Sequence, residues 1–276
     1  MTDIDTNVLP SKAKIDVNPR STTLKGIPGI VEGLIRRGQA MAQVVVLLFI
    51  YVGASMAVGI SLIPSVYLFG AINTWSAAFA GPLRVAAMGF AVGSGFFLYG
   101  FSMIFVVPAL NFILRANLKP WRGPYYSVGT LNWYVHNSLT FLMRYTFLEF
   151  ITPTPFNVLF YKLMGMKVGR GTQINSSCLT DPSLIELGKN VTIGGSATIC
   201  AHYAMGGYLI IAPVKIGDGA VIGLRAIVMG GVEIGEKAKI LPNSAVLPKT
   251  IIPAGETWGG VPAVKVNMSE LLRPKT

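Results

Sequence analysis

Few residues in this chain of 276 could carry out chemistry: two histidines, His136 and His202, and two cysteines, Cys178 and Cys200. Two histidines cannot build a three-histidine zinc centre within one chain. Two cysteines offer neither a disulfide framework nor a metal cluster. Proton transfer remains, because a neutral imidazole titrating near pH 6.5 can serve as a general base. His202 stands in "CAHYAMGGYL" beside Cys200, for which a nucleophile is the minor reading. His136 lies in an aromatic stretch, where a polar tip at an apolar–water boundary accounts for it. Asp181, in "TDPS", could orient an acceptor or cap a turn, and the turn is favoured.

The elements that must position these residues follow from a spacing of six. Aliphatic residues fall at Ile210, Ile216, Ile222, Val228, Ile234, Ile240, Val246 and Ile252 without a miss. Leu187, Ile193 and Ile199 keep the interval upstream, as do Val168 and Ile174. Helices repeat near 3.6 residues and strands near 2, so neither alone makes six. A parallel β-helix does: three flat faces per coil each place one aliphatic residue inside. Residues 168–258 would make about five coils. Small residues such as Ala220, Ala226, Ala238 and Ser244 sit two positions before the aliphatic ones, and Cys178 on this rule packs inward. Glycines directly after the aliphatic position are expected to free the backbone for turning. The rhythm breaks twice, around "TDPS" and across "CAHYAMGGYL". Loops thrown from a rigid scaffold are where chemistry concentrates, and the second break holds His202.

The first half is of another kind. The chain is 52% hydrophobic and only 13% charged, with mean hydropathy +0.56. No Asp, Glu, Lys or Arg occurs from Gly38 to Leu83 or from Val85 to Leu114. Each run exceeds the roughly 20 residues of a membrane-spanning helix. Spans at about 42–69, with Pro64 a candidate kink, and 84–114 would form a hairpin, with a turn over Asn73–Pro82. Gly89, Gly93, Gly95 and Gly100 in the second span allow close helix contact. Lys25, Arg36 and Arg37 precede the hairpin, Arg115, Lys119 and Arg122 follow it, and the turn carries only Arg84. That asymmetry places both ends in the cytoplasm of a bacterial-type inner membrane, as a multi-pass protein. The net charge of +11 flanks the apolar runs instead of forming one stripe, which fits lipid head groups better than nucleic acid. The expected organisation is a tail at 1–38, flexible to about residue 25, the hairpin at 39–119 and interfacial or linker helices at 120–166. The β-helix follows at 167–262, then a tail at 263–276. The helices at 120–166 would lie in the membrane interface, cap the β-helix, or both.

Residues 212–266, "APVKIGDGAVIGLRAIVMGGVEIGEKAKILPNSAVLPKTIIPAGETWGGVPAVKV", resemble the closing coils of the hexapeptide-repeat, left-handed β-helix acyltransferase superfamily. Residues 153–174 resemble a membrane-tethered branch that includes the terminal regions of polylysine-synthetase-type nonribosomal enzymes. The resemblance implies transfer of an acyl group, often acetyl, from acyl-CoA to a hydroxyl or amine. It implies a loop histidine as base, which only His202 can match. It also implies coenzyme contacts at Gly223, Ala226, Ser244, Lys249 and Lys265, packing as a homotrimer, and no metal. Val221 and Val261 stand where the family usually has Trp and Asn. Two readings stay open: a membrane-anchored acyltransferase working at the cytoplasmic face, and an inactive β-helix scaffold in a larger membrane complex. A γ-carbonic-anhydrase-like enzyme would need more histidines than the chain supplies.

Overall fold

The computed structural model describes residues 21, 22 and 24–267; most of the expected N-terminal tail, and residues 268–276 of the C-terminal one, lie outside them. Helix α1 (Gly26–Trp75) and helix α2 (Gly81–Ile113) pack against each other. Both are long and apolar enough to cross a membrane. Their apolar side chains stay uncovered: Phe49, Tyr67 and Phe112 are each more than 70% exposed. The turn is shorter than expected, because α1 runs to Trp75 and only a 3-10 turn at Ser76–Ala78 precedes α2. The break in α1 falls at Gln39 (φ 13°, ψ −83°), not at Pro64, which lies inside the helix. It divides residues 26–38, which belong to the expected tail and are helical here, from the charge-free run. Of the four glycines expected to allow close contact, Gly95 meets α1, where Ser65 Oγ donates to its carbonyl at 2.7 Å. Gly100 lies against the Phe147 ring, whereas a side chain added at Gly89 or Gly93 would meet open space.

From residue 167 the chain winds through three parallel sheets. The first face stacks Lys167–Val168, Ile185–Leu187, Val214–Ile216, Glu233–Ile234 and Ile251–Ile252. The second stacks Gln173–Ile174, Thr192–Ile193, Val221–Ile222, Lys239–Ile240 and Thr257–Gly259, closed by antiparallel Val264–Lys265. The third stacks Leu179–Thr180, Thr198–Cys200, Ile227–Val228 and Ala245–Val246. Paired residues form aliphatic ladders, for example Ile193, Ile222 and Ile240, each at most 2% exposed. Burial of each such side chain contributes about 1.5–3 kcal/mol. The small residues two positions earlier, Ala220, Ala226, Val232 and Ala238, are fully buried at the corners of the coil.

Three details depart from the six-residue reading. Ile210 is no ladder residue: it sits in a hairpin thrown out of the coil, opposite Tyr203. In the first coil Leu179, one residue before the sixfold position, pairs with Ile199. Cys178 is consequently only half-buried, and Arg144 Nη2 reaches its Sγ at 2.8 Å. The glycines after the ladder positions are not the turning residues either. Left-handed φ falls two positions later, at Gly219, Arg225, Gly231, Lys237, Asn243, Lys249 and Gly255. Gly217, Gly223 and Gly235 are required by stacking instead, since a Cβ there would come within 2.7 Å of backbone nitrogen in the next coil.

Residues 120–166 act as the solenoid's cap. Trp121–Pro124 is a strand, not an interfacial helix, and pairs antiparallel with Tyr208–Ile211 of the thrown-out hairpin. Helix α3 (Leu131–Thr146) and helix α4 (Pro155–Leu163) follow. Asn157 Nδ2 on α4 donates to the Ile174 carbonyl at 2.7 Å. One buried cluster runs from Met103 and Ile104 of α2 through Met143, Phe160 and Tyr161 to Leu179 and Ile185. Capping an end of a repeat stack removes the exposed ladder that would otherwise face water.

Candidate active site

The two breaks of rhythm meet in space. Thr180 pairs with Cys200, so the chain leaves the third face at stacked points on neighbouring coils. After Cys200 it forms the antiparallel hairpin His202–Met205 and Tyr208–Ile211, turned by Gly206 and Gly207, both at positive φ. A two-residue turn with left-handed φ at both positions matches the twist of a hairpin, and glycine adopts it without strain. After Thr180 the chain turns at Asp181, which is left-handed (φ 59°, ψ 46°) and outside the regular corner positions. Uncommon backbone geometry of this kind clusters at functional sites.

The result is a buried carboxylate aimed at an imidazole. Asp181 is fully buried, and its Oδ2 lies 2.5 Å from His202 Nδ1. Its Oδ1 accepts from Asn137 Nδ2 of α3 at 2.7 Å. Asn137 Nδ2 also donates to the Trp133 carbonyl at 3.1 Å, which fixes the amide on the helix. The turn-cap role expected for Asp181 is therefore corrected: Pro182–Leu184 receives no side-chain cap from it. The His202 side chain keeps 25% of its surface exposed. With Nδ1–H donating to the carboxylate, the lone pair sits on Nε2, the tautomer a general base needs.

His136 is elsewhere and does something else. It is fully buried, so the expected polar tip is corrected, and its Nδ1 lies 2.9 Å from Asn111 Oδ1. Burial lowers its pKa to about 4, against the opposing pull of Asp181. Burial pushes the Cys200 thiol up to about 11. A thiol that holds its proton at neutral pH is a poor nucleophile.

The residues expected around a coenzyme fall into separate columns. Gly223, Ala226 and Ser244 stack at the corner between the second and third faces, where Ile227 N donates to the Ser244 carbonyl. Ala226 and Ser244 are buried and Ser244 Oγ accepts from Gly260 N at 3.2 Å, so they present only backbone outward. Lys249 is exposed at the opposite edge of the third face, where its N–H donates to the Gly230 carbonyl. Gly230 stacks beside His202, which puts Lys249 in the histidine's own column. Lys265 pairs with Glu256 at 2.5 Å on the second face, apart from both columns. Asn137 and Trp133 belong to the site and were not legible as such. Only their place in an aromatic stretch ahead of the repeats could have pointed to them.

A model of the hexapeptide repeat of succinyl-transferase matches residues 213–247. A Bacillus subtilis protein named as an acetyltransferase, YvoF, is 30% identical over 169 residues, covering 56% of this chain and 96% of its own length. A delta-poly-L-ornithine synthetase of Acinetobacter baumannii is 23% identical over 171 residues, covering 60% of this chain and 13% of its own. The mitochondrial gamma carbonic anhydrase 2 of Arabidopsis thaliana is 33% identical over 109 residues, 36% of this chain and 34% of its own. This chain thus spans a small part of the synthetase and about a third of the anhydrase. The chain belongs to the hexapeptide-repeat acyltransferase superfamily. Acetyltransferase-type activity is what that membership supports.

Proposed function

We propose that this protein is a membrane-anchored acyltransferase that moves an acyl group, acetyl foremost, from acyl-CoA to a hydroxyl or amine. The observation that carries the reading is the His202–Asp181 pair: a buried carboxylate orients a half-buried imidazole whose Nε2 makes no hydrogen bond among the described residues. Nε2 takes the proton of the acceptor as its oxygen or nitrogen attacks the thioester carbonyl. The C–S bond of the tetrahedral intermediate breaks, and the coenzyme thiolate leaves with the proton from the imidazolium. Backbone N–H groups along the coil would hold the oxyanion. The coenzyme would lie along the third face, against backbone at Gly223, Ala226 and Ser244, with Lys249 toward its phosphates. Lys265 is the weaker candidate, because Glu256 already occupies its ammonium group.

An open path to the histidine favours the enzyme over the scaffold, and His202 keeps 25% of its side-chain surface exposed. A zinc hydrolase of the anhydrase kind would need partner chains to supply the histidines this chain lacks. The test is thermal shift with acetyl-CoA and longer acyl-CoAs. A coenzyme at 100 times its Kd stabilises the folded state by about 2.7 kcal/mol. No shift with any of them, together with no transfer, removes the enzyme reading.

The hairpin would anchor the enzyme in an inner membrane with the solenoid in the cytoplasm, where acyl-CoA is found. The basic flanks and the uncovered apolar faces of α1 and α2 support this. In a chain freed of its two cysteines, single cysteines at Asn73 and Lys237 should label from opposite sides of the membrane; labelling from one side refutes the topology. Leu224, Ile227 and Leu247 form an exposed apolar row along the third face. Packing as a homotrimer would cover it and place a neighbouring chain beside His202. Mass in mild detergent should be near three times 29.5 kDa; a monomer, or an assembly with other subunits, refutes the trimer.

A further inference from the structure

Trp133 is left over by this chemistry. Its ring packs edge-on to His202, with centroids 5.0 Å apart, and its Nε1–H is buried without an acceptor. Tyr134 at 5.1 Å and Tyr125 at 6.3 Å continue an aromatic row away from the solenoid. Those two tyrosines wall a cleft of about 240 Å³ whose other side is α1, near its break, at Gln39, Gln43 and Leu47. Ile35, Ala42, Val46 and Ile50 line this cleft and also an apolar groove of about 910 Å³ between α1 and α3. Polar groups therefore stand in the cleft walled by Tyr125 and Tyr134, whose rings contact Trp133 and through it His202, and apolar ones extend along a helix with an uncovered hydrophobic face. The larger groove falls in the size range of small-molecule sites, which are mostly apolar with a few placed polar groups.

The geometry points to an acceptor that is itself a membrane lipid, its hydroxyl or amine head at His202 Nε2 and its hydrocarbon chain along α1. This rests on the acyltransferase reading and specifies its substrate class. The occupant is the acceptor's chain and not the donor's, for two reasons. The coenzyme candidates lie along the coils, whereas the groove lies between α1 and α3. The groove opens on the helices that would face lipid, from which a lipid enters without crossing water. The reaction gives an acylated lipid and free coenzyme thiol, the acceptor's proton passing through His202 to sulfur.

The full chain is reconstituted in vesicles of total bacterial lipid extract and given radiolabelled acetyl-CoA, with and without cytosolic small molecules. Label should enter the chloroform-soluble lipid. Ala42→Phe fills the row shared by both hollows and should lower that label about 100-fold, the scale of a substrate misplaced by about 1 Å, while the acetyl-CoA thermal shift is kept. Val46→Phe provides the same test should the first variant fail to fold. Label confined to water-soluble products, or lipid labelling unchanged by both variants, overturns the inference. So does a changed assembly mass in both variants, which would make the groove a contact between copies. An acetyl-CoA shift with no labelled lipid overturns the lipid acceptor alone. Absence of both the shift and any label overturns the acyltransferase reading as well.

Discussion

His202→Ala should lower acyl transfer by roughly 10²- to 10⁴-fold, the range that a positioned general base supplies. Acetyl-CoA binding should remain, since the coenzyme candidates lie on other coils. Asp181→Asn is the sharper test. The amide has the shape of the carboxylate, but its NH₂ can donate to Nδ1. The imidazole then carries its proton on Nε2, where the acceptor must deliver one. The loss should therefore approach that of His202→Ala although the ring stays in place. Residues that act as one unit give non-additive losses, so the double variant should be little worse than either single one. Rates of transfer measured with saturating acyl-CoA decide. An unchanged rate in His202→Ala moves the protein to the scaffold reading. A loss in Asp181→Asn that multiplies with that of His202→Ala means the pair does not work as base and orienter.

The repeat was legible because a solenoid puts every ladder residue in the same surroundings, and six-residue spacing is enough to find it. The apolar hairpin was equally legible from charge alone. What the spacing concealed is local and has one cause. An aliphatic residue every six positions says which residues can face inward, not which do. Ile210 satisfies the spacing and sits in a hairpin; Leu179 breaks it and joins the ladder. That shift of one residue hid the site, because only the true register stacks the chain after Thr180 on the chain after Cys200. The partner from the cap was further out of reach. Asn137 reaches Asp181 across 44 residues of chain. A single amide on an amphipathic helix carries no mark of what it will meet.

Stability should fall with acid through His136, by an amount large enough to isolate. The side chain is fully buried on α3, one ring nitrogen held by Asn111 and the other without a partner. Burial lowers its pKa from 6.5 to about 4, although Asp181 and the Ala116 backbone pull the other way. The unfolded chain protonates this histidine near pH 6.5, whereas the folded chain waits until about pH 4. Between those values the unfolded state binds the extra proton, so folding stability rises with pH and is lost as pH falls. A shift of that size corresponds to about 3 kcal/mol, most of it gone by pH 4.5. His136→Gln keeps a polar partner for Asn111 and cannot titrate. Denaturant unfolding in detergent at pH 7 and pH 4.5 compares the two chains. The parent should lose about 2–3 kcal/mol more than the variant over that interval, while carboxylates common to both cancel. Equal losses would mean that the buried imidazole is already charged at pH 7 or that water reaches it, and the neutral, buried His136 would then be wrong.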